Sequence, residues 1–149
     1  MKVVIISAVE PPPAFIRDVK EVLGVDDVKV IGASGVKACD VIRALKEEGD
    51  LAGVAVFAVG LPTHVTSKVS EFSRKHNVPL LAGFAVAVKK PFCGLIPKDR
   101  RVEWNGECLE YYALAEGVVT VVIPEKFVRE YYGRKFPEYV KRSNTTIAP

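Results

Sequence analysis

The chain contains no glutamine, one methionine (the first residue), three asparagines (Asn77, Asn105, Asn144) and two histidines (His64, His76). Thermolabile side chains are therefore scarce, while Val, Lys, Arg and Glu are abundant, the composition of a heat-adapted protein. Long hydrophobic runs are missing too. None approaches the roughly 20 residues that cross a bilayer as a helix. The apolar stretch near the start, Val3-Val4-Ile5-Ile6-Ser7-Ala8-Val9, is too short for a signal core, and no small-residue cleavage site follows it. These absences predict a cytoplasmic chain with no membrane partner.

Cysteine is sparse and scattered. Three residues (Cys39, Cys93, Cys108) with no Cys-x-x-Cys and no Cys/His cluster exclude a structural zinc site. In a cytosolic chain such cysteines are usually small buried residues or reactive thiols. Heat-adapted intracellular proteins do carry disulfides, and Cys93 and Cys108 are close enough in sequence to clamp a loop to a hairpin. The sequence leaves that pairing open.

What is present suits one folded domain: 149 residues, 49% apolar and 26% charged. The net charge of +3 is too small for a dedicated duplex-DNA binder. Its distribution is uneven. The last 25 residues hold six bases (Lys126, Arg129, Arg134, Lys135, Lys141, Arg142) against three acids, which accounts for the whole excess. A second local surplus lies at residues 89–101, where Lys89, Lys90, Lys98, Arg100 and Arg101 face only Asp99.

Periodicity supplies the fold class. Val3 to Val9 reads as a strand buried on both faces, and Pro11-Pro12-Pro13 then seeds a helix with Phe15, Val19, Val22 and Leu23 inward, closed by Gly24. Val28-Lys29-Val30-Ile31 is a second strand, followed by a helix carrying Ala38, Val41, Ile42 and Leu45. Val54-Ala55-Val56-Phe57-Ala58-Val59 is a third strand, leading to a helix with Val65, Val69 and Phe72 inward. A fourth strand lies within residues 78–88. Repeated strand–helix alternation with short connections means βαβ units. The expectation is a Rossmann-like or flavodoxin-like three-layer sandwich with a mostly parallel sheet. To it are added a β-hairpin insertion near residues 101–110, turning at Asn105-Gly106, and a C-terminal helix after Pro124.

In an open parallel sheet, ligands bind beyond the carboxyl ends of the strands. That rule selects the candidates. Gly32, Ser34, Gly35 and Lys37 form a glycine-rich strand-to-helix turn, suited to an anion because helix amides and a lysine point the same way. The bland alternative is that Ser34 merely caps the helix. Thr63 and His64 open the third helix, where the dipole favours a neutral imidazole able to act as a base. Glu10 follows the first strand and could serve as acid or base. Lys89 and Lys90 would assist electrostatically. His64 and Glu10 are thus the catalytic candidates, and Gly32, Ser34, Gly35, Lys37, Thr63, Lys89 and Lys90 the ligand-binding ones. No metal ligand set and no particular cofactor is specified.

The function this predicts is binding of a small anionic, phosphorylated or nucleotide-like ligand, with or without catalysis. A rival is a non-catalytic homo-oligomeric scaffold anchored by Trp104, Tyr111, Tyr112, Phe127, Tyr131 and Tyr132. A third is an RNA-contacting module using the basic loop at 89–101 and the basic C-terminal helix, less favoured than the small ligand. The middle third resembles lumazine synthase in its order of elements, through Thr63-His64 and through Val78-Pro79 leading to Gly83-Phe84. Glu10 and the prolines replace that family's aromatic after the first strand, and Pro62-Thr63-His64-Val65 does not reproduce its Gly-x-Thr-x-His-Phe order. No family is assigned.

Overall fold

In the computed structural model, residues 1–88 and 90–116 are described. The core strand is β1 (Lys2–Ser7), whose β-branched residues are buried on both faces. Val4 and Ile6 join one apolar cluster, and Val3 and Ile5 join the other. This is the alternation that a strand imposes on its side chains. Helix α1 (Pro13–Leu23) starts where Pro12 and Pro13 fix the backbone, and it ends at Gly24 in the left-handed region. Strand β2 (Val28–Gly32), helix α2 (Ala38–Glu47), strand β3 (Leu51–Phe57), helix α3 (Thr63–His76) and strand β4 (Leu80–Val88) follow in turn. Asn77, at φ 53°, closes α3, and the last turn of that helix carries Arg74, Lys75 and His76, favourable against the helix dipole.

Two 3-10 turns, Lys90–Leu95 and Lys98–Arg100, lead to β5 (Arg101–Trp104) and β6 (Glu107–Glu116). The hairpin pairs Trp104 with Glu107, Glu103 with Cys108 and Val102 with Leu109, the register that Asn105-Gly106 predicts. Both turn residues have positive φ, as a two-residue turn of this type requires.

The sheet order is β2-β1-β3-β4-β6-β5. The β2–β1, β1–β3 and β3–β4 ladders are parallel, whereas β4–β6 and β6–β5 are antiparallel. This overturns the expected mostly parallel, flavodoxin-like sandwich. The molecule is an α/β fold whose mixed sheet curls into a half-barrel. The hairpin is no insertion either, because β6 pairs with β4 along nearly the whole of that strand.

Strand β4 is the cause of the curl. Its first residues, Leu80 to Gly83, pair with β3, but the β6 ladder continues from Leu81 out to Val88. Past Gly83 the strand has left β3, and a register shift between Phe84 and Ala85 bends it further. The outer strands then wrap around α1, which packs against β3, β6 and the second 3-10 turn. Helices α2 and α3 cover the opposite, convex face.

The concave side holds an aromatic cluster. Phe15, Phe57 and Tyr111 have ring centroids 5.2 to 6.3 Å apart. Gly83 makes room for it, since a Cβ there would lie 2.6 Å from the Phe15 ring and 2.9 Å from that of Phe57. The Tyr111 hydroxyl donates to Asp18 on α1 at 2.7 Å. Tyr111 is thus a core residue (1% exposed), not the interface anchor expected, and Tyr112 packs against the convex-side cluster. The strand expected at 118–123, the helix after Pro124 and the anchors Phe127, Tyr131 and Tyr132 lie outside the described residues. Among the described residues no helix is long and apolar enough to cross a membrane.

Candidate functional site

The carboxyl ends of β2, β1 and β3 meet at one edge, and the candidate residues are delivered there by the strand-to-helix turns. Ser7 ends β1 opposite Gly32 of β2 and Phe57 of β3. Its carbonyl accepts the Ala33 amide at 2.8 Å, and its buried hydroxyl donates to the Val9 carbonyl. Strands β1 and β3 send their chains to helices on opposite faces, so the crevice between them is the switch point of the parallel strands.

Each of the three helices among the described residues begins without a side-chain cap. Pro12, Lys37 and Pro62 occupy the N-cap positions in extended conformation, and none supplies a hydrogen-bond acceptor from its side chain. Ser34 is therefore not the cap of α2, and Lys37 stands at the cap itself rather than one turn inside the helix. Thr63 is the first residue of α3, not its cap. The amides at Ala38, Cys39, Thr63 and His64 have no carbonyl four residues back within their helices. Proline cannot cap with its side chain, and a lysine ammonium is a donor, so the sequence itself dictates uncapped ends.

The surface over the first turn is open. A Cβ at Gly32 or at Gly35 would meet nothing within 4 Å, and Gly35 has φ +69°. Ser34, Gly35 and Lys37 are all exposed, as are Thr63 and His64 on the neighbouring helix start. Glu10 is exposed as well, ahead of two buried prolines, Pro11 and Pro12. Lys90 opens the first 3-10 turn at the end of β4, and Lys89 lies outside the described residues. The structure therefore gathers Gly32, Ser34, Gly35 and Lys37 on one side of the edge, with Glu10 in the middle and Thr63 and His64 beyond β3.

One residue at this edge was not foreseen. Trp104, at the hairpin tip, leans across β3, where a Cβ on Gly60 would lie 2.9 Å from the indole Nε1 and 3.4 Å from the Ala8 Cβ. The indole thus packs against the Gly60 turn while remaining 38% exposed. Gly60, at φ +75°, is required here twice over, by its backbone conformation and by the ring above it. Sequence periodicity places Trp104 on the face of Val102 and Leu109. It says nothing of the distant turn which that face meets.

The basic loop is largely used internally. Arg100 stacks over the Tyr111 ring at 5.5 Å and donates to the Tyr111 carbonyl at 3.4 Å. Arg101 donates to the Ile96 carbonyl at 2.6 Å, and Asp99 pairs with Arg17 of α1 at 3.3 Å. Cys93 and Cys108 form a disulfide, with Cα atoms 5.7 Å apart, which ties the first 3-10 turn to β6. Cys39 is a free, exposed thiol.

Among the described residues, concave surface also occurs at the hairpin and between α2 and α3. A cavity of about 350 Å³ at the hairpin is lined by the disulfide, Glu103, Trp104, Asn105, Gly106 and Glu107. A groove of about 420 Å³ runs between α2 and α3, where Arg43, Lys46, Lys68 and Lys75 flank an apolar floor of Ile42 and Phe72. The His76 ring lies against Phe72 with centroids 4.3 Å apart. The spacing of Lys68 and Lys75, and of Arg43 and Lys46, is a legible sequence signal for such a cationic flank.

Three ionisations are shifted among the described residues. Burial pushes the Tyr111 phenol far above its ordinary range, and the bond to Asp18 adds to the shift. At the opposite edge of the sheet, hydrogen bonds from Lys29 and Lys2 lower the Glu48 carboxyl below its usual value, and Glu48 raises Lys2.

No protein-family model matches the chain, and no curated protein or solved structure is a match either.

Proposed function

We propose that the chain binds a small phosphorylated or nucleotide-like anion at the carboxyl edge of β2 and β1, against residues 32–37 and the start of α2. The observation that carries this is the pairing of an uncapped helix start at Lys37 with open space over Gly32 and Gly35. The free amides and the dipole favour an anion, the missing side chains let it approach the backbone, and Lys37 supplies a full charge. The start of α3, with Thr63 and His64, offers a second uncapped end for the same ligand. Glu10 stands beside the edge as a carboxylate able to accept hydroxyl protons. His64 is the residue with the chemistry to move a proton there.

A thermal-shift titration with inorganic phosphate and adenosine monophosphate tests the reading. Binding stabilises the folded state by mass action, so Tm rises with ligand concentration. Lys37→Ala is expected to reduce that rise with Tm in buffer unchanged. A rise unaffected by Lys37→Ala would place the anion elsewhere, and no rise for either ligand would remove the reading.

A second reading is favoured by the α2–α3 groove, lined by Arg43, Lys46, Lys68 and Lys75, of which Lys68 pairs with Glu71 and Arg43 with Asp40. That surface suits a polyanion such as single-stranded RNA. Binding there should weaken steeply with salt, and Lys68→Glu with Lys75→Glu should abolish it. Retention of RNA by that double variant would discard the reading.

A further inference from the structure

We propose that the His76 ring is a base-stacking platform in the α2–α3 groove, so that the groove selects single-stranded RNA from other polyanions. The platform rests on the RNA reading of that groove for its ligand, and on the placement of one ring for its selectivity.

Three observations carry it. The first is the ring pair. His76 lies against Phe72 with centroids 4.3 Å apart and planes inclined at 35°. Phe72 is 7% exposed, whereas His76 is exposed, and both line the groove. Phe72 therefore backs the imidazole from one side, and a base reaches it from the other.

The second is the placement of charge. Lys68, Phe72 and His76 follow one another at helical spacing along α3, with Lys75 beside them, so cations and ring share one helix face. Across the groove, α2 presents Arg43 and Lys46. Lys68 and Arg43 are engaged by Glu71 and Asp40, while Lys46 and Lys75 enter no ion pair among the described residues. One such ammonium group thus stands on each helix to meet a phosphate.

The third is the floor. Ile42 is half-buried and Phe72 is covered by His76, so little apolar area remains for the side chains of a docking helix. Between its cations the groove offers the plane of a ring, and a nucleobase brings a matching plane on an anionic chain. An acidic peptide or inorganic polyphosphate brings the charge without it. Duplex RNA keeps its bases inside the helix and cannot use the platform.

The test uses the full chain and a short fluorescein-labelled oligoadenylate, with affinity read by anisotropy across a salt series. His76→Ala is expected to weaken binding about tenfold, within the range for one stacked base, with the salt slope unchanged. His76→Phe restores the ring and should bind as the parent does. Lys75→Ala should instead lower the salt slope by about one unit. Polyphosphate and polyglutamate should compete poorly for the parent, and on equal terms with unlabelled oligoadenylate for His76→Ala. Circular dichroism checks that each variant is folded. Binding by His76→Ala equal to the parent's, or a loss in His76→Phe as large as in His76→Ala, would overturn the platform and leave a groove that holds RNA by its backbone alone. Polyphosphate or polyglutamate competing with the parent as well as oligoadenylate does would overturn the selectivity. A parent that binds no oligoadenylate even at low salt would remove the RNA reading itself, and the platform with it.

Discussion

The Tyr111 hydroxyl donates to the Asp18 carboxylate at 2.7 Å, joining β6 to α1 across 93 positions of sequence. This bond fastens the outer strands around the helix. Arg100 lies over the same ring, and Phe15 and Phe57 close its sides. Tyr111 thus joins the outer strands, α1 and the aromatic cluster at one place.

Tyr111→Phe removes the hydroxyl and leaves Asp18 without that donor. A hydrogen bond to a charged partner contributes about 1.5–3 kcal/mol, and a loss in that range is expected in urea unfolding. The pH dependence has a definite sign. The folded phenol is held protonated above its ordinary value, so its contribution is full below about pH 10 and declines as pH rises beyond it. Above pH 10 the variant should show a shallower fall in stability than the parent. Parallel curves would refute this.

Gly83→Ala tests the aromatic cluster. The added methyl meets the rigid rings of Phe15 and Phe57 at 2.6 to 2.9 Å, and overpacking of this kind costs about 1–3 kcal/mol. Phe15→Leu should recover part of that cost in the double variant, because the two sites share one space. Additive losses, read from thermal unfolding, would contradict the account.

Glu48 receives Lys2 at 2.9 Å and Lys29 more closely still. Its lowered carboxyl pKa makes its contribution fully present above the ordinary glutamate value and lost as pH falls through the lowered one. Glu48→Gln should therefore flatten the acid limb of stability against pH. The raised Lys2 acts at the other end, losing its contribution only as pH climbs past the ordinary lysine range. Acid titrations of the parent and of Glu48→Gln, followed by circular dichroism, check this, and equal acid limbs would refute it.

The disulfide closes a loop of sequence separation 15. Loop-closure entropy for such a length amounts to about 3 kcal/mol. Cys93→Ser should fall short of the parent by up to that amount in denaturant, with reduction giving the same loss. A stability unchanged by either treatment would show that the bond constrains little in the unfolded chain.

The sequence by itself determined the local structure. β-Branched runs separated by 3.6-residue periods specify β1 to β4 and helices α1 to α3, and prolines mark where α1 and α3 begin. Asn105-Gly106 specifies the hairpin and its register, because a two-residue turn leaves no other pairing. It also brought Gly32, Ser34, Gly35 and Lys37, Glu10, and Thr63 and His64 to one edge, since parallel strands with short connections allow nothing else. Only the tertiary structure decided the rest. An apolar face shows that a strand is covered but not by what, and β4 has an outer edge that a parallel or an antiparallel partner can take equally well. The pairing of β6 there, the bend at Phe84 and the missing side chain at Gly83, whose place the Phe15 and Phe57 rings take, turned an expected mostly parallel sandwich into a half-barrel around α1. That same curl carried Trp104 onto Gly60 and set Tyr111 against Asp18. Such contacts join residues tens of positions apart, where no period or spacing in the chain records them.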